Sequence, residues 1–223
     1  MRNIIRGWLG EKIATFGMWA LLDQTIYHRV DNAIIPAPNG TTQIDHILVS
    51  QFGVFVIETK NLKGWIFGSP QSDKWTQNIY GKKFPFQNPI KQNFRHTKCL
   101  SEHLRLNHKF FHPVIFFAAE CEFKTPTPPN VINEGLITYI KQFRDVCLTP
   151  LQVNEAISAL LELKQNPNLT KSAHLQSLRD RHGSTTVCPR CGAALVERHS
   201  RTGNHFLGCS TYPKCKFTKD LLP

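Results

Sequence analysis

Residues 40–61 read GTTQIDHILVSQFGVFVIETKN, and the patterning of this stretch decides the fold. Thr42 to Ser50 and Gly53 to Asn61 each have the composition of a strand. Val54-Phe55-Val56-Ile57 is apolar at successive positions, so that strand is covered on both faces and belongs at the centre of a sheet. A tight turn at Gln51-Phe52 pairs Ser50 with Gly53 and sets Asp45 directly opposite Glu58, with Cβ atoms roughly 5 Å apart. Glu58 and Lys60, two residues apart, share that face. Two carboxylates so placed repel one another unless a cation lies between them. With the backbone carbonyl of Thr59 they form a hard-oxygen site suited to Mg²⁺ or Mn²⁺. Lys60 beside that site would orient water and stabilise charge developing on a phosphate. A slip of one residue would turn Asp45 to the other face. Exposed charges at strand ends are common, so the pattern alone leaves a solvated strand end open as well. His46 follows Asp45, faces the opposite side and reads as structural.

Working outward, the periodicity predicts a helix from Ile4 to Asp23 and a strand from Gln24 to Ile35, with Pro38-Asn39-Gly40 as the turn into the quoted stretch. Beyond it, Gly64 to Phe67 and the segment around Trp75 read as short strands or a hairpin. Asn88-Pro89 starts a helix that runs to about Leu106, because proline suits the first helical position. Pro113 to Ala119 is a further buried strand, and Thr125 to Pro129 is a proline-rich connector. Val131 to Phe143 holds a short strand or turn and a short helix. Thr149-Pro150 opens a helix to about Lys164, and Thr170 opens another that ends near Arg181. The order predicts an α/β (α+β) chain with a small mixed sheet flanked by helices. The domain boundaries expected are 1–125 for the sheet domain, 126–183 for a helical extension and linker, and 184–223 for a separate module.

Composition narrows the partners. Hydrophobic residues make up 41% of the 223 residues, enough for a packed core, and 27 Lys and Arg against 16 Asp and Glu give a net charge of +11. Such a balance favours a polyanion, of which nucleic acid is the commonest. No apolar stretch is long enough to span a bilayer, and Arg2 and Arg6 interrupt the apolar residues at the start, so no membrane partner is expected. Seven cysteines, four of them clustered, predict a reducing cytoplasmic setting and a metal rather than disulfides. The oligomeric state is not written in the sequence.

The cluster is Cys188-x2-Cys191 followed by Cys209-x5-Cys215. A CxxC turn aims two thiolates at one point, and a second pair from a hairpin completes the tetrahedron of a structural Zn²⁺. So small a segment cannot fold by burial alone, so the metal must supply folding free energy. Between Ser184 and Pro223 there are six Lys and Arg and two acids, a formal +4 before a four-thiolate zinc centre of about −2 is counted. Arg198, Arg201, Tyr212, Lys214 and Lys216 are candidate nucleic-acid contacts. Phe206 reads as packing around the metal, and Tyr212 as either packing or a stacking surface. The segment CPRCGAALVERHSRTGNHFLGCSTYPKCKFTKDL resembles the C4 zinc domain of type I bacterial topoisomerases. That resemblance implies binding to DNA, mainly single-stranded.

Other words in the chain resemble the nuclease-related (NERD) domain, a branch of the PD-(D/E)XK nuclease superfamily. They are Gly10-Glu11, residues 40–46 (GTTQIDH), residues 53–61 (GVFVIETKN), Gly64, Trp75 and Asn88-Pro89-Ile90-x-Gln92-Asn93. The resemblance implies a restriction-endonuclease-like sheet and a metal-dependent phosphodiesterase site. It makes Asp45 and Glu58 ligands of Mg²⁺ or Mn²⁺, Lys60 the catalytic lysine, Glu11 an auxiliary acid and Gln92 a polar residue facing the site from the later helix. A solvent-facing Glu11 and a surface Gln92 are the bland alternatives. The expected function is a DNA nuclease or DNA-processing phosphodiesterase with a zinc tail, acting on single-stranded or branched DNA. A non-catalytic nucleic-acid adaptor and an RNA-directed enzyme are its rivals.

Overall fold

The structure is a computed structural model that describes residues 21–200 and 203–221. The expected first helix falls almost wholly outside the described residues, and Glu11 and Arg201 lie outside them. The chain forms two compact units. Of the described residues, one comprises 21–33 and 43–165, the other 34–42, 166–200 and 203–221.

A five-stranded sheet is built from β1 (His28–Ala37), β2 (Gly40–Ser50), β3 (Gly53–Lys60), β7 (Phe111–Phe117) and β9 (Val131–Ile132), in the order β1-β2-β3-β7-β9. β2 runs antiparallel to β3, whereas β3 with β7 and β7 with β9 are parallel, so the sheet is mixed as expected. The apolar run places β3 in the middle strand, buried from Gly53 to Glu58. A second sheet has the order β6-β5-β4-β8, from β4 (Gly64–Phe67), β5 (Lys74–Ile79), β6 (Lys82–Gln87) and β8 (Cys121–Phe123).

Phe55, Ile57, Leu48 and Val114 pack with Tyr27 and with Leu136 and Ile140 of α2 (Leu136–Ile140). Ile66, Trp75, Ile115, Phe117 and Val131 form a second cluster. Removing such a side chain from water contributes roughly 1.5–3 kcal/mol each. Helix α1 (Pro89–Leu104) lies against β3 and β7. Its start is as expected: the Asn88 side chain accepts from the N–H groups of Ile90 and Lys91, and Pro89 follows. Asn88 Nδ2 also donates to the carbonyls of Ser69, Pro70 and Ser72, which ties the helix start to the preceding loop. Helix α3 (Pro150–Gln165) opens with a reciprocal cap between Thr149 and Gln152.

The second unit contains α4 (Lys171–Gly183), a three-stranded sheet β10-β11-β12 (Leu195–His199, His205–Cys209, Thr218–Asp220) and the turn at Pro38-Asn39. Asn39 Nδ2 donates to the carbonyls of Cys188 and Pro189 at 3.3 and 3.1 Å. Lys219 Nζ caps the end of α4 by donating to the carbonyls of His182, Gly183 and Ser184.

Several boundaries differ from expectation for physical reasons. The first strand starts at His28 rather than Gln24, because the Asp23 carboxylate accepts from Thr25 N–H and Oγ1 and closes a turn there. β6 was not anticipated as a separate strand; it holds Pro85, which an exposed edge tolerates. Helix α4 continues through Gly183 into the expected linker. The segment 126–183 is shared between the units, with α3 in the first and α4 in the second. Among the described residues no helix is long and apolar enough to cross a membrane.

Candidate functional site

The site is set by the β2–β3 turn. Ser50 Oγ accepts from Phe52 N–H at 3.2 Å and donates to Gly53 O at 3.3 Å. Gly53 has φ +119°, and a Cβ there would lie 2.5 Å from His112 Nε2 and 2.6 Å from Phe110 O. Glycine alone fits that backbone and that space. The resulting register runs from Ser50↔Gly53 to His46↔Ile57, and Asp45 and Glu58 come directly after that last pair.

At that point the Asp45 carboxylate accepts the Thr59 N–H through Oδ2 at 2.8 Å. Glu58 is 4% exposed. Its Oε1 accepts from Lys60 Nζ at 2.6 Å and from Gln92 Nε2 at 2.7 Å. Lys60 Nζ also donates to Gln92 Oε1 at 3.0 Å, which closes a triangle of three side chains. Among the described residues Glu58 Oε2 accepts no hydrogen bond; His96 Nδ1 lies 3.4 Å from it. Asp45, Glu58 and Lys60 together carry a formal −1. A buried carboxylate oxygen left open among the described residues fits a hard divalent cation. Thr59 contributes its N–H to the arrangement through Asp45.

Gln92, Asn93 and His96 share the face of α1 that covers β3. Asn93 Nδ2 donates to Val56 O and Val114 O at 2.9 Å each, which clamps the helix across the parallel pair. His96 was missed by sequence reading. The signal was present, since it lies four residues after Gln92 on the same helical face. His46 is buried and bonds Asp31, away from this cluster.

In the second unit the sulfurs of Cys188, Cys191, Cys209 and Cys215 all lie within 4.8 Å of one another. The Cys188–Cys215 and Cys191–Cys209 distances are 3.8 and 3.4 Å. A zinc ion with bonds of about 2.3 Å requires sulfurs about 3.8 Å apart, so the four thiols fit Zn²⁺. Burial opposes ionisation of Cys209, yet hydrogen bonds from Thr211, Cys191 and Cys188 together outweigh it and lower this thiol to about 6.

Of the candidate nucleic-acid contacts, Tyr212 is 61% exposed and Lys214 and Lys216 are exposed. Arg198 is partly committed elsewhere. It donates to Cys209 O at 3.3 Å and lies 5.7 Å from the Tyr212 ring centre. It crosses Gly208, where a Cβ would come within 2.6 Å of its Cδ. Phe217 packs on the cysteine cluster.

Comparison with known proteins gives two family matches. Residues 6–118 match the family described as "Nuclease-related domain", and residues 185–223 match "Topoisomerase DNA binding C4 zinc finger". An uncharacterized protein of Bacillus anthracis is 46% identical over 96 residues, covering 43% of this chain and 45% of that protein. DNA topoisomerase 1 of Methanocaldococcus jannaschii is 53% identical over 103 residues, covering 46% of this chain and 12% of the topoisomerase. DNA topoisomerase 1 of Archaeoglobus fulgidus is 56% identical over 34 residues, 15% of this chain and 5% of the topoisomerase. The chain thus spans less than half the length of each of these relatives. No solved structure matches it significantly. With half of its length matched by that model, the chain belongs to the nuclease-related domain family and carries a topoisomerase-type C4 zinc ribbon at residues 185–223.

Proposed function

We propose that the protein is a metal-dependent phosphodiesterase that cleaves DNA, with the zinc ribbon holding substrate near the catalytic unit. The observation that carries this reading is the buried Oε2 of Glu58, open among the described residues, with Lys60 and Gln92 gathered on the other carboxylate oxygen. Asp45 and Glu58, with the Thr59 carbonyl, would hold Mg²⁺ or Mn²⁺. When bound, that ion lowers the pKa of a coordinated water and neutralises phosphate charge. Lys60 donates from its ammonium to the attacking water or to a non-bridging phosphate oxygen. Gln92 is a positioning residue that fixes Lys60 and Glu58 relative to one another. Glu11 is assigned as an auxiliary acid.

The ribbon presents Tyr212, Lys214 and Lys216 to the DNA, and stacking together with phosphate neutralisation favours single-stranded or branched substrates. Cys99, Cys121 and Cys147 are free thiols, which supports a reducing, cytoplasmic setting. A second reading, a non-catalytic adaptor on a nuclease-like scaffold, draws on the closed Lys60–Glu58–Gln92 triangle, in which the ammonium is already paired.

The test is cleavage of single-stranded, duplex and branched DNA, with RNA alongside, in Mg²⁺ or Mn²⁺. Wild type is expected to cut DNA, and Lys60→Ala and Asp45→Ala to lose at least about a hundredfold in rate. Wild type as inert as both variants would leave the adaptor reading.

A further inference from the structure

Ile79 and Lys82 close the β5–β6 ladder and leave Tyr80-Gly81 as a two-residue loop. Both loop residues have positive φ, +50° and +80°. Those are the signs of a type I′ turn, whose first position favours Asn, Asp or Gly. A bulky side chain held there costs conformational energy. No packing offsets that cost, because Tyr80 is fully exposed at 101%. Its hydroxyl and ring have no partner among the described residues. Backbone strain that packing does not offset concentrates at functional positions.

The surroundings indicate which function. Lys74–Ile79 and Lys82–Gln87 contain three lysines and no acid. Lys82 and Lys83 are exposed and unpaired among the described residues. The register sets Trp65, Asn78 and Lys83 side by side across one face of the sheet. Trp65 is 49% exposed, with Lys124 Nζ 4.7 Å from its ring centre. Lys124 is itself paired to Glu122, so the free positive charge is that of the hairpin. Exposed aromatics interleaved with unpaired lysines complement a strand with unstacked bases.

We propose that the β5–β6 hairpin is a nucleic-acid-contacting finger, in which Tyr80 and Trp65 stack on unpaired bases and Lys82 and Lys83 neutralise flanking phosphates. Trp65 follows Lys60 by five residues, which limits their Cα separation to roughly 18 Å. A strand engaged on this face therefore lies within a few nucleotides of the site. The inference rests on the nucleic-acid partner proposed above and not on catalysis.

Tyr80→Asn separates structure from binding, because Asn suits the loop position that Tyr80 strains. In the full zinc-loaded chain carrying Lys60→Ala, without Mg²⁺, affinity for a labelled oligothymidylate is read by fluorescence anisotropy. Tyr80→Asn is expected to raise the thermal midpoint by a few degrees and to weaken binding about tenfold. The pair Lys82→Gln and Lys83→Gln is expected to lower the slope of log affinity against log salt by about 1.4. A stabilised Tyr80→Asn that binds like its parent overturns the finger and leaves the proposed function standing. A parent that binds no oligonucleotide overturns both.

Discussion

At the scale of single residues, Asp45 has two jobs that a substitution can separate. Its charge belongs to the candidate metal site, while its Oδ2 accepts the Thr59 N–H just beyond the last β2–β3 pair, His46↔Ile57. Asparagine keeps an acceptor and loses the charge. Asp45→Asn is expected to abolish cleavage with stability within about 0.5 kcal/mol of wild type, whereas Asp45→Ala costs about 1 kcal/mol more through the lost acceptor. Urea denaturation beside the cleavage assay checks this, and equal stability losses in the two variants would deny the structural role. Asp45, Glu58 and Lys60 were legible because strand alternation and a two-residue turn place side chains without further information. Gln92 was legible only by resemblance, and His96 not at all, since which residues of a helix meet a strand depends on how the two dock. One N–H of the Arg198 guanidinium donates to Cys209 O, a bond that no local pattern announces.

The β2–β3 hairpin is the element on which the site depends, and β7 supports its turn. His112 Nε2 donates to Phe52 O at 2.9 Å, and its ring lies 4.2 Å from that of Phe143. Burial holds the His112 pKa below its ordinary 6.5, against the opposing effect of the Phe52 carbonyl. The unfolded chain therefore takes up the proton more readily than the folded one. The contribution to stability is complete above about pH 6.5 and is lost as the pH falls below that value towards the folded pKa. Thermal midpoints are expected to drop between pH 7.5 and 5, and to drop less in His112→Asn. An unchanged pH dependence in that variant would remove His112 as the cause. The ends of α1 and α3 were legible from local capping chemistry, as at Asn88-Pro89 and Thr149. β8 was not anticipated, because its three residues are a strand only by virtue of parallel pairing with β4.

For the whole molecule, metal and burial divide the work of stabilisation. The first unit has apolar cores of its own, whereas three of the five buried members of the ribbon core are the zinc ligands Cys188, Cys209 and Cys215. One zinc per chain is expected. A strong chelator is expected to abolish hydrogen-exchange protection over residues 187–220 while β3 and β7 stay protected. Protection retained by the zinc-free ribbon would overturn the structural role of the metal. The sequence by itself determined the mixed sheet with a doubly covered central strand and the cluster of four thiols, because each follows from local spacing or from periodicity. Only the tertiary structure decided that residues 34–42 belong to the same unit as the ribbon, that His96 faces Glu58, that Arg198 bonds Cys209 O, and that Tyr80 is held outward on a strained loop. Those depend on the packing of segments far apart in the chain, and no local pattern records which surfaces meet.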